Sequence, residues 1–377
     1  MKVAIVSNHG PTLVRFRGDL LRRLVAEGHE VITYVPPVGQ ELVDEILKLG
    51  VTFYPYPLDR TSTNPFRDWK SYSALKRRLA LDQPEIVFCY TAKPMIYGSF
   101  AAARTTEARI VSLVTGLGYG FSGGDIKQRL LSRLQRFLYR RAFKNNARVV
   151  FQNPDDCQLF LDWKLVTDEQ KAVVAGSGVN VAEFEYTELP EQKEITFVMV
   201  ARLLREKGVY EYLEAARRVR EKFPESGCRF LLVGGEDGNP GGVKLARLRE
   251  MGSPVEILGH QDDVKSFLIN SHCFVLPSYR EGTPRSTLEA LAIGRPVITT
   301  DAAGCRETVV HGENGWVIKV ANADALTNAM SEAVTMSRDD LLRFSRASRK
   351  RAEEVFDVNK VNEMMVSLIL GNENEPS

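Results

Sequence analysis

The chain has 377 residues, more than one domain usually holds, so two domains are expected. Its composition is ordinary, 44% hydrophobic and 26% charged with 28 glycines and 17 prolines, which excludes a collagen-like, coiled-coil or wholly disordered protein. The formal charge is only +2, so any affinity for polyanions has to come from local clusters of basic residues.

The first elements read as strand, glycine-containing loop, helix, strand. Residues 3–6 are apolar throughout, as expected of a strand covered on both faces. A helix over about residues 19–27 stops at Gly28, a good C-cap residue, and residues 31–35 supply the second strand. Further strands are expected at 86–90, 110–114, 149–152 and 172–175, with helical stretches between most of them, the pattern of a parallel sheet. A basic helix is expected from residue 126 to 148. Gly176-Ser177-Gly178 and the acidic stretch 183–194 read as a linker, and the rhythm then restarts with strands at 195–200, 230–233, 255–258, 273–276, 297–300 and 316–318.

The expected fold class is therefore α/β, with two Rossmann-like doubly wound domains facing across a cleft. An N-terminal domain covers 1–175, a linker 176–194 and a C-terminal domain 195–355. The segment 356–377 carries a last helix at about 359–370, free to pack back across the cleft, and a frayed tail from 371. Ligands of such sheets sit at the carboxyl ends of the strands, so the cleft is the expected site.

Five cysteines at 89, 157, 228, 273 and 305 form no C-x-x-C and read as buried thiols of a reducing compartment. The apolar run at the N-terminus is too short for a signal peptide, and no window of about 18 apolar residues exists to span a bilayer. The expected location is the cytoplasm or the cytoplasmic face of a membrane.

The densest chemistry lies at residues 278–290, where a loop follows the strand at 273–276 and opens a helix with Pro284 near its first turn. The N–H groups of Thr283, Pro284-flanking Arg285 and Ser286 then favour a negative charge. Glu281 in the loop and Glu289 within the helix can accept hydrogen bonds from sugar hydroxyls. A second cluster follows the strand ending at Val200: Arg202 and Lys207 suit a diphosphate, the first as a fork and the second as a point charge.

These residues, with Val233-Gly234-Gly235, Asp301-Ala302-Ala303-Gly304-Cys305-Arg306-Glu307 and Gly312-Glu313-Asn314-Gly315, resemble the donor half of retaining glycosyltransferase family 4. The resemblance implies the GT-B fold. It gives donor-sugar and ribose binding to the Glu-x₇-Glu pair, Glu281 and Glu289, with Gly282, Thr283, Pro284, Arg285, Ser286 and Gly234 around the donor, and the diphosphate to Arg202 and Lys207.

Phe16-Arg17, the stretch 60–66, Gly116-Leu117-Gly118 and the stretch 234–240 are similar to a narrower group, bacterial enzymes that extend polyprenyl-diphosphate-linked sugars. Among them are N-acetylgalactosaminyltransferases of N-linked protein glycosylation and O-antigen and capsule transferases. The implied activity is that of a retaining hexosyltransferase taking an N-acetylhexosamine from a UDP-sugar to an undecaprenyl-diphosphate-linked saccharide. The first domain then carries the acceptor side, with His9, Gly10, Arg17 and Gly116 as candidates. His9 has two readings, a substrate contact or a local backbone cap. Many family members carry a His after the fourth strand, but residues 88–94 here hold none, and the position stays unassigned. The chain has no Asp-x-Asp, so neither a metal nor another cofactor is expected, and cations and helix N–H groups would neutralise the leaving group.

Between 126 and 148 there are eight basic residues and no acid. Arg129, Arg133, Arg136 and Arg140 share one helical face. Attraction to anionic lipid headgroups, or to a lipid diphosphate, is the expectation, which places the enzyme peripherally on the cytoplasmic face of the inner membrane. Nucleic acid is not an expected partner, because the chain is nearly neutral and shows no recognisable module. A dehydrogenase is suggested by Gly118-x-Gly120-x-x-Gly123, but the acid needed about 20 positions on is absent. The open alternatives are a sugar-nucleotide epimerase of the same fold and a family 4 transferase with a different acceptor.

Overall fold

A computed structural model describes residues 1–60, 62, 64–117, 126–239 and 241–372, and of 126–128 the backbone alone. The chain divides into two compact units, Met1–Ser177 with Asn359–Ser377, and Gly178–Val358. Each is built on a parallel sheet.

In the first unit the strands are β1 (Lys2–Val6), β2 (Glu30–Val35), β3 (Thr52–Pro55), β4 (Ile86–Tyr90), β5 (Arg109–Val114), β6 (Arg148–Phe151) and β7 (Lys171–Val173), in the order β3-β2-β1-β4-β5-β6-β7. The connecting helices are α1 (Gly10–Ala26), α2 (Gln40–Leu47), α3 (Pro65–Asp82), α4 (Ala92–Thr105), α5 (Ile126–Phe143) and α6 (Pro154–Asp162). Helices α3 to α6 cover one face, where Leu75, Ile96, Phe143 and Phe160 pack on Val87, Cys89 and Phe151. The other face is covered by α1, α2 and the last helix, α13 (Val358–Leu370), through Leu13, Leu24, Ile46, Val361, Met365 and Ile369.

Three local readings change. β3 was not expected: it is a four-residue edge strand ending in Pro55, only half-buried, too short and too polar to show a period. α1 starts at Gly10 and not near 19, because Pro11 fits a first helical turn and Leu13, Arg17 and Gly18 are already buried. α5 ends at Phe143, and Arg148 opens β6, so the basic helix is shorter than its charge run. Asn146 stops it, turning back to the carbonyl of Phe143 and donating to Ser112 Oγ at 2.6 Å.

The second unit holds β8 (Thr196–Val200), β9 (Arg229–Val233), β10 (Val255–Gly259), β11 (Cys273–Leu276), β12 (Val297–Thr300) and β13 (Gly315–Ile318), in the order β10-β9-β8-β11-β12-β13. Its helices are α7 (Val209–Lys222), α8 (Leu245–Glu250), α9 (Lys265–Ile269), α10 (Arg285–Ile293), α11 (Ala323–Thr335) and α12 (Arg338–Val355). The order reverses at β8, so the loops after β8 and β11 adjoin at the switch point where open α/β sheets take their ligands.

Residues 178–194, read from the sequence as linker, lie in this unit. Several arginines hold them, among them Arg338, which donates to the carbonyls of Leu189 and Pro190. Arg295, fully buried, donates to the carbonyls of Thr187 at 2.6 Å and Glu188 at 3.2 Å, and burial lowers its pKa to about 10. Arg349 donates to the carbonyls of Val181, Phe184 and Ala292. An acidic, proline-containing composition suggested exposure, but Phe184 and Leu189 are buried. All five cysteines are buried and unpaired.

Candidate active site

The loop after β8 is pinned by Leu203 and Leu204, both buried, and by a hydrogen bond of 3.0 Å from the Leu203 N–H to the Gly235 carbonyl. A single tight turn, Arg205–Lys207, then leads into α7. The loop aims its two cations differently. Lys207 is 15% exposed and forms an ion pair with Glu281, itself 11% exposed, in the loop after β11. Arg202 is 59% exposed and meets Asp237, after β9, at 2.5 Å. The sequence placed both cations on one diphosphate; the structure gives each a carboxylate of its own.

Further bonds tie the loops together. The Tyr279 N–H donates to the Glu206 carbonyl at 2.8 Å, and the Glu281 N–H to the Ala303 carbonyl at 2.9 Å. A Cβ on Gly304 would lie 2.4 Å from the carbonyl oxygens of Glu281 and Gly282, so the loop after β12 can close on them only with glycine there. Gly234 is constrained similarly: a Cβ would stand 1.7 Å from the Ala201 carbonyl oxygen.

Pro284 sits at the N-cap of α10 and not inside its first turn, and Arg285 and Ser286 open the helix. The first N–H groups of a helix lack intrahelical partners, so this end suits an anion. Thr283 Oγ1 donates to the Gly282 carbonyl at 2.8 Å, closing the turn before it. Glu289 is not a surface glutamate: it is buried, and Arg285 Nε donates to it at 3.2 Å while Arg285 Nη1 reaches the Gly178 carbonyl at 3.1 Å. A carboxylate is tolerated in such surroundings only when paired. Both glutamates are thus preset by cations of the same unit.

In the first unit His9 is the N-cap residue of α1 but its side chain makes no cap hydrogen bond; Ser7 Oγ accepts from the His9 N–H at 3.2 Å instead. That removes the capping reading. His9 Nδ1 is buried without a hydrogen-bond partner, and burial, then the charge of Arg60, lowers its pKa. Gly10 opens α1 against Val38 and Leu42. Arg17 is buried, with its guanidinium 5.6 Å from the Tyr90 ring centre and a donated bond to the Phe16 carbonyl. Gly116 has φ +126°, a conformation that favours glycine; Gly118, Gly120 and Gly123 lie outside the described residues.

In the stretch 88–94, which holds no His, Thr91 has φ +69° and a buried Oγ1 without a hydrogen-bond partner. Two residues on, Lys93 donates to the carbonyls of Asp59 and Ser62 and to Asp68, each at 2.6 Å. Nothing local in the sequence signals this clamp, since its partners lie 25 to 34 residues away. The pairing of Asp237 with Arg202 has no local signal either, the two being 35 residues apart.

The four arginines of α5 do share a face, but they are not equivalent. Arg136 stacks on the Trp163 ring at 4.9 Å and Arg140 donates to the Trp163 carbonyl at 2.8 Å, so both are tied to the end of α6. Arg129 and Arg133 are exposed, beside exposed Leu130, Leu134 and Phe137. Among the described residues no group of three or more His, Cys, Asp or Glu is placed to hold a metal.

Two family profiles match, "Glycosyl transferase 4-like domain" over residues 13–176 and "Glycosyl transferases group 1" over 167–351. The chain is 28% identical to the N,N'-diacetylbacillosaminyl-diphospho-undecaprenol alpha-1,3-N-acetylgalactosaminyltransferase of Campylobacter jejuni, over 98% of each chain. It is 25% identical to the UDP-Gal:alpha-D-GlcNAc-diphosphoundecaprenol alpha-1,3-galactosyltransferase of Escherichia coli, over 81% of each. The solved structure of Anabaena HepE with UDP and glucose superposes with a TM-score of 0.79 at 14% identity, over 98% of this chain and all of that one.

Proposed function

Because the chain belongs to the group 1, 4-like glycosyltransferases and has the GT-B fold, we propose that it moves a sugar from a UDP-sugar to an undecaprenyl-diphosphate-linked saccharide in bacterial glycan, O-antigen or capsule assembly. The transferred sugar is an N-acetylhexosamine and its anomeric configuration is retained. The names of both relatives carry a diphosphoundecaprenol acceptor, which supports this choice.

The observation that carries the reading is the Lys207–Glu281 pair at the switch point of the second sheet, beside the N-terminus of α10. When the anomeric C–O bond breaks, negative charge grows on the departing UDP. Lys207, Arg202 and the first N–H groups of α10 are cationic or dipolar groups held in place beforehand, which is what lowers such a barrier. Glu281 and Glu289, already oriented by Lys207 and Arg285, offer carboxylate oxygens to the sugar and ribose hydroxyls. In the first unit His9, Gly10, Arg17 and Gly116 serve the acceptor. No metal is needed, since protein cations take the charge.

A lipid-linked acceptor lies at a bilayer, and the acid-free outer face of α5 fits an anionic one. The enzyme then works on the cytoplasmic face of the inner membrane. No helix among the described residues is long and apolar enough to cross it.

The experiment offers a panel of UDP-sugars with a short-chain polyprenyl-diphosphate saccharide, with and without a chelator, and reads products by mass and anomeric NMR. Transfer from a UDP-N-acetylhexosamine with retention, indifferent to the chelator, is expected. Epimerisation of the UDP-sugar without acceptor, or no transfer from any donor, overturns the reading.

A further inference from the structure

Two large aromatic side chains stand in water on the first turns of α3: Phe66 is 82% exposed and Trp69 67%. Their position is enforced. Asp68, between them, accepts from Lys93 Nζ at 2.6 Å and from Tyr97 Oη at 2.9 Å, and Leu75 and Leu79 fix the same inner face. With Asp68 turned in, residues 66 and 69 have to point out. Asn64 caps the helix by accepting from the Phe66 N–H at 2.9 Å, so this turn is well formed.

The charge of the surrounding helices is one-sided, and the nearby loop acid Asp59 is paired with Arg67 of α3. Helices α3, α4 and α5 contain two acids, Asp68 and Asp82, and both are engaged inward, Asp82 by Arg78 and by the hydroxyl of Tyr34. The exposed positions carry Lys70, Lys76, Arg77, Arg104, Arg129 and Arg133. An ordinary solvated helix of this protein is different: α7 interleaves Glu214, Arg217, Arg218 and Glu221 and pairs them. An outer layer with no free acid over three neighbouring helices is built for an anionic surface.

The two apolar clusters also share an edge. α3 packs on α4 and α4 on α5, all on one face of the sheet. α3 follows the carboxyl end of β3 and α5 that of β5, in a fully parallel sheet, so both helices begin at the same edge. Phe66 and Trp69 lie in the first turns of α3, and Leu130 and Leu134 lie toward the start of α5.

We propose that the outer surface of the α3–α4–α5 layer is a single membrane-docking face, in which Phe66 and Trp69 form a second apolar anchor inserted among the headgroups of an anionic bilayer. The proposal rests on the membrane reading of α5 and extends it to a second helix. The Trp69 indole, with its one polar N–H edge, settles at the boundary between headgroups and acyl chains, the apolar Phe66 ring inserts beside it, and the flanking lysines and arginines reach the phosphates. Two separated anchors also fix the rotation of the enzyme on the surface, which one helix cannot.

Tryptophan fluorescence tests this directly, because Trp316 is buried and Trp163 is covered by Arg136, leaving Trp69 exposed. With vesicles of phosphatidylcholine and phosphatidylglycerol the emission should shift to the blue and be quenched by brominated lipid. Trp69→Phe should remove most of that signal while binding persists. Phe66→Ser with Trp69→Ser should weaken partitioning by about tenfold or more without lowering the thermal midpoint. Vesicles of phosphatidylcholine alone should bind little. Wild-type partitioning by the double variant, with Trp69 unquenched in the parent, overturns the second anchor and leaves α5 standing. A parent that ignores anionic vesicles overturns both. A double variant that changes the oligomeric state in sedimentation velocity but not vesicle binding marks a contact between copies, and the proposal is wrong.

Discussion

Lys207 and Glu281 are 74 residues apart in sequence and form a largely buried ion pair between the loops that follow β8 and β11. The pair holds the proposed donor site in shape before any ligand arrives. Under the proposed function each partner has two roles, one in the fold and one in the chemistry, and substitutions have to be designed to separate them.

Glu281→Gln keeps the shape of the side chain and removes its charge. Turnover should fall by about tenfold or more. Lys207, left without its carboxylate, should also cost stability, up to about 3–5 kcal/mol for a fully buried pair. The double change Lys207→Met with Glu281→Gln should recover much of that stability and none of the turnover. Thermal unfolding and initial rates on the same samples check both halves; a double variant with restored turnover would remove the pair from the site.

Arg202 makes the contrast. It is exposed and its ion pair with Asp237 lies at the surface, where such pairs contribute about 0–1 kcal/mol. Arg202→Ala should thus leave the melting temperature unchanged and weaken UDP itself, by roughly tenfold for one charge-assisted bond. Calorimetry with UDP is the measurement, and an unchanged affinity would take Arg202 off the diphosphate.

His272 gives the second unit a pH dependence. Its Nδ1 accepts from the Thr196 N–H and its Nε2 faces the Gln192 carbonyl, both at 3.1 Å, so the buried ring is neutral with the proton on Nε2. Burial lowers its pKa from the ordinary value of 6.5. Below that value the unfolded chain gains a proton that the folded one resists, so stability present at neutral pH is lost as the pH falls through 6.5. The thermal midpoint should drop between pH 7.5 and 5.5, and His272→Gln should be lower at neutral pH but flatter across that interval.

The α5 arginines should separate into two pairs. Arg129→Glu with Arg133→Glu should reduce sedimentation with anionic vesicles, in a salt-sensitive way, at unchanged melting temperature. Arg136→Glu with Arg140→Glu should lower the melting temperature as well, because Arg136 stacks on the Trp163 ring and Arg140 donates to the Trp163 carbonyl. Equal vesicle binding by the first variant and the parent would show that the exposed arginines face only water.

The strands of both sheets, β3 excepted, were legible because short apolar runs between helices carry their own signal: β4, β9 and β11 are buried along their whole or nearly whole length, and no polar residue interrupts them. Glu281, Glu289, Arg202 and Lys207 stand out in the sequence as candidates only, through residue types grouped in two loops and one helix start. Which cation meets which carboxylate was decided by the fold alone. Lys207 finds Glu281, Arg202 finds Asp237 and Arg285 finds Glu289, and two of these three pairings cross between loops brought together by strand order. The same cause turned an acidic stretch that looked like linker into a packed part of the second unit, held by buried Arg295. It also divided a uniform row of arginines into two tied to Trp163, Arg136 and Arg140, and two exposed ones, Arg129 and Arg133, set beside exposed apolar side chains. Local patterning fixes what a segment prefers, whereas burial and partner choice depend on residues far away in the chain, and these only the tertiary structure brings together.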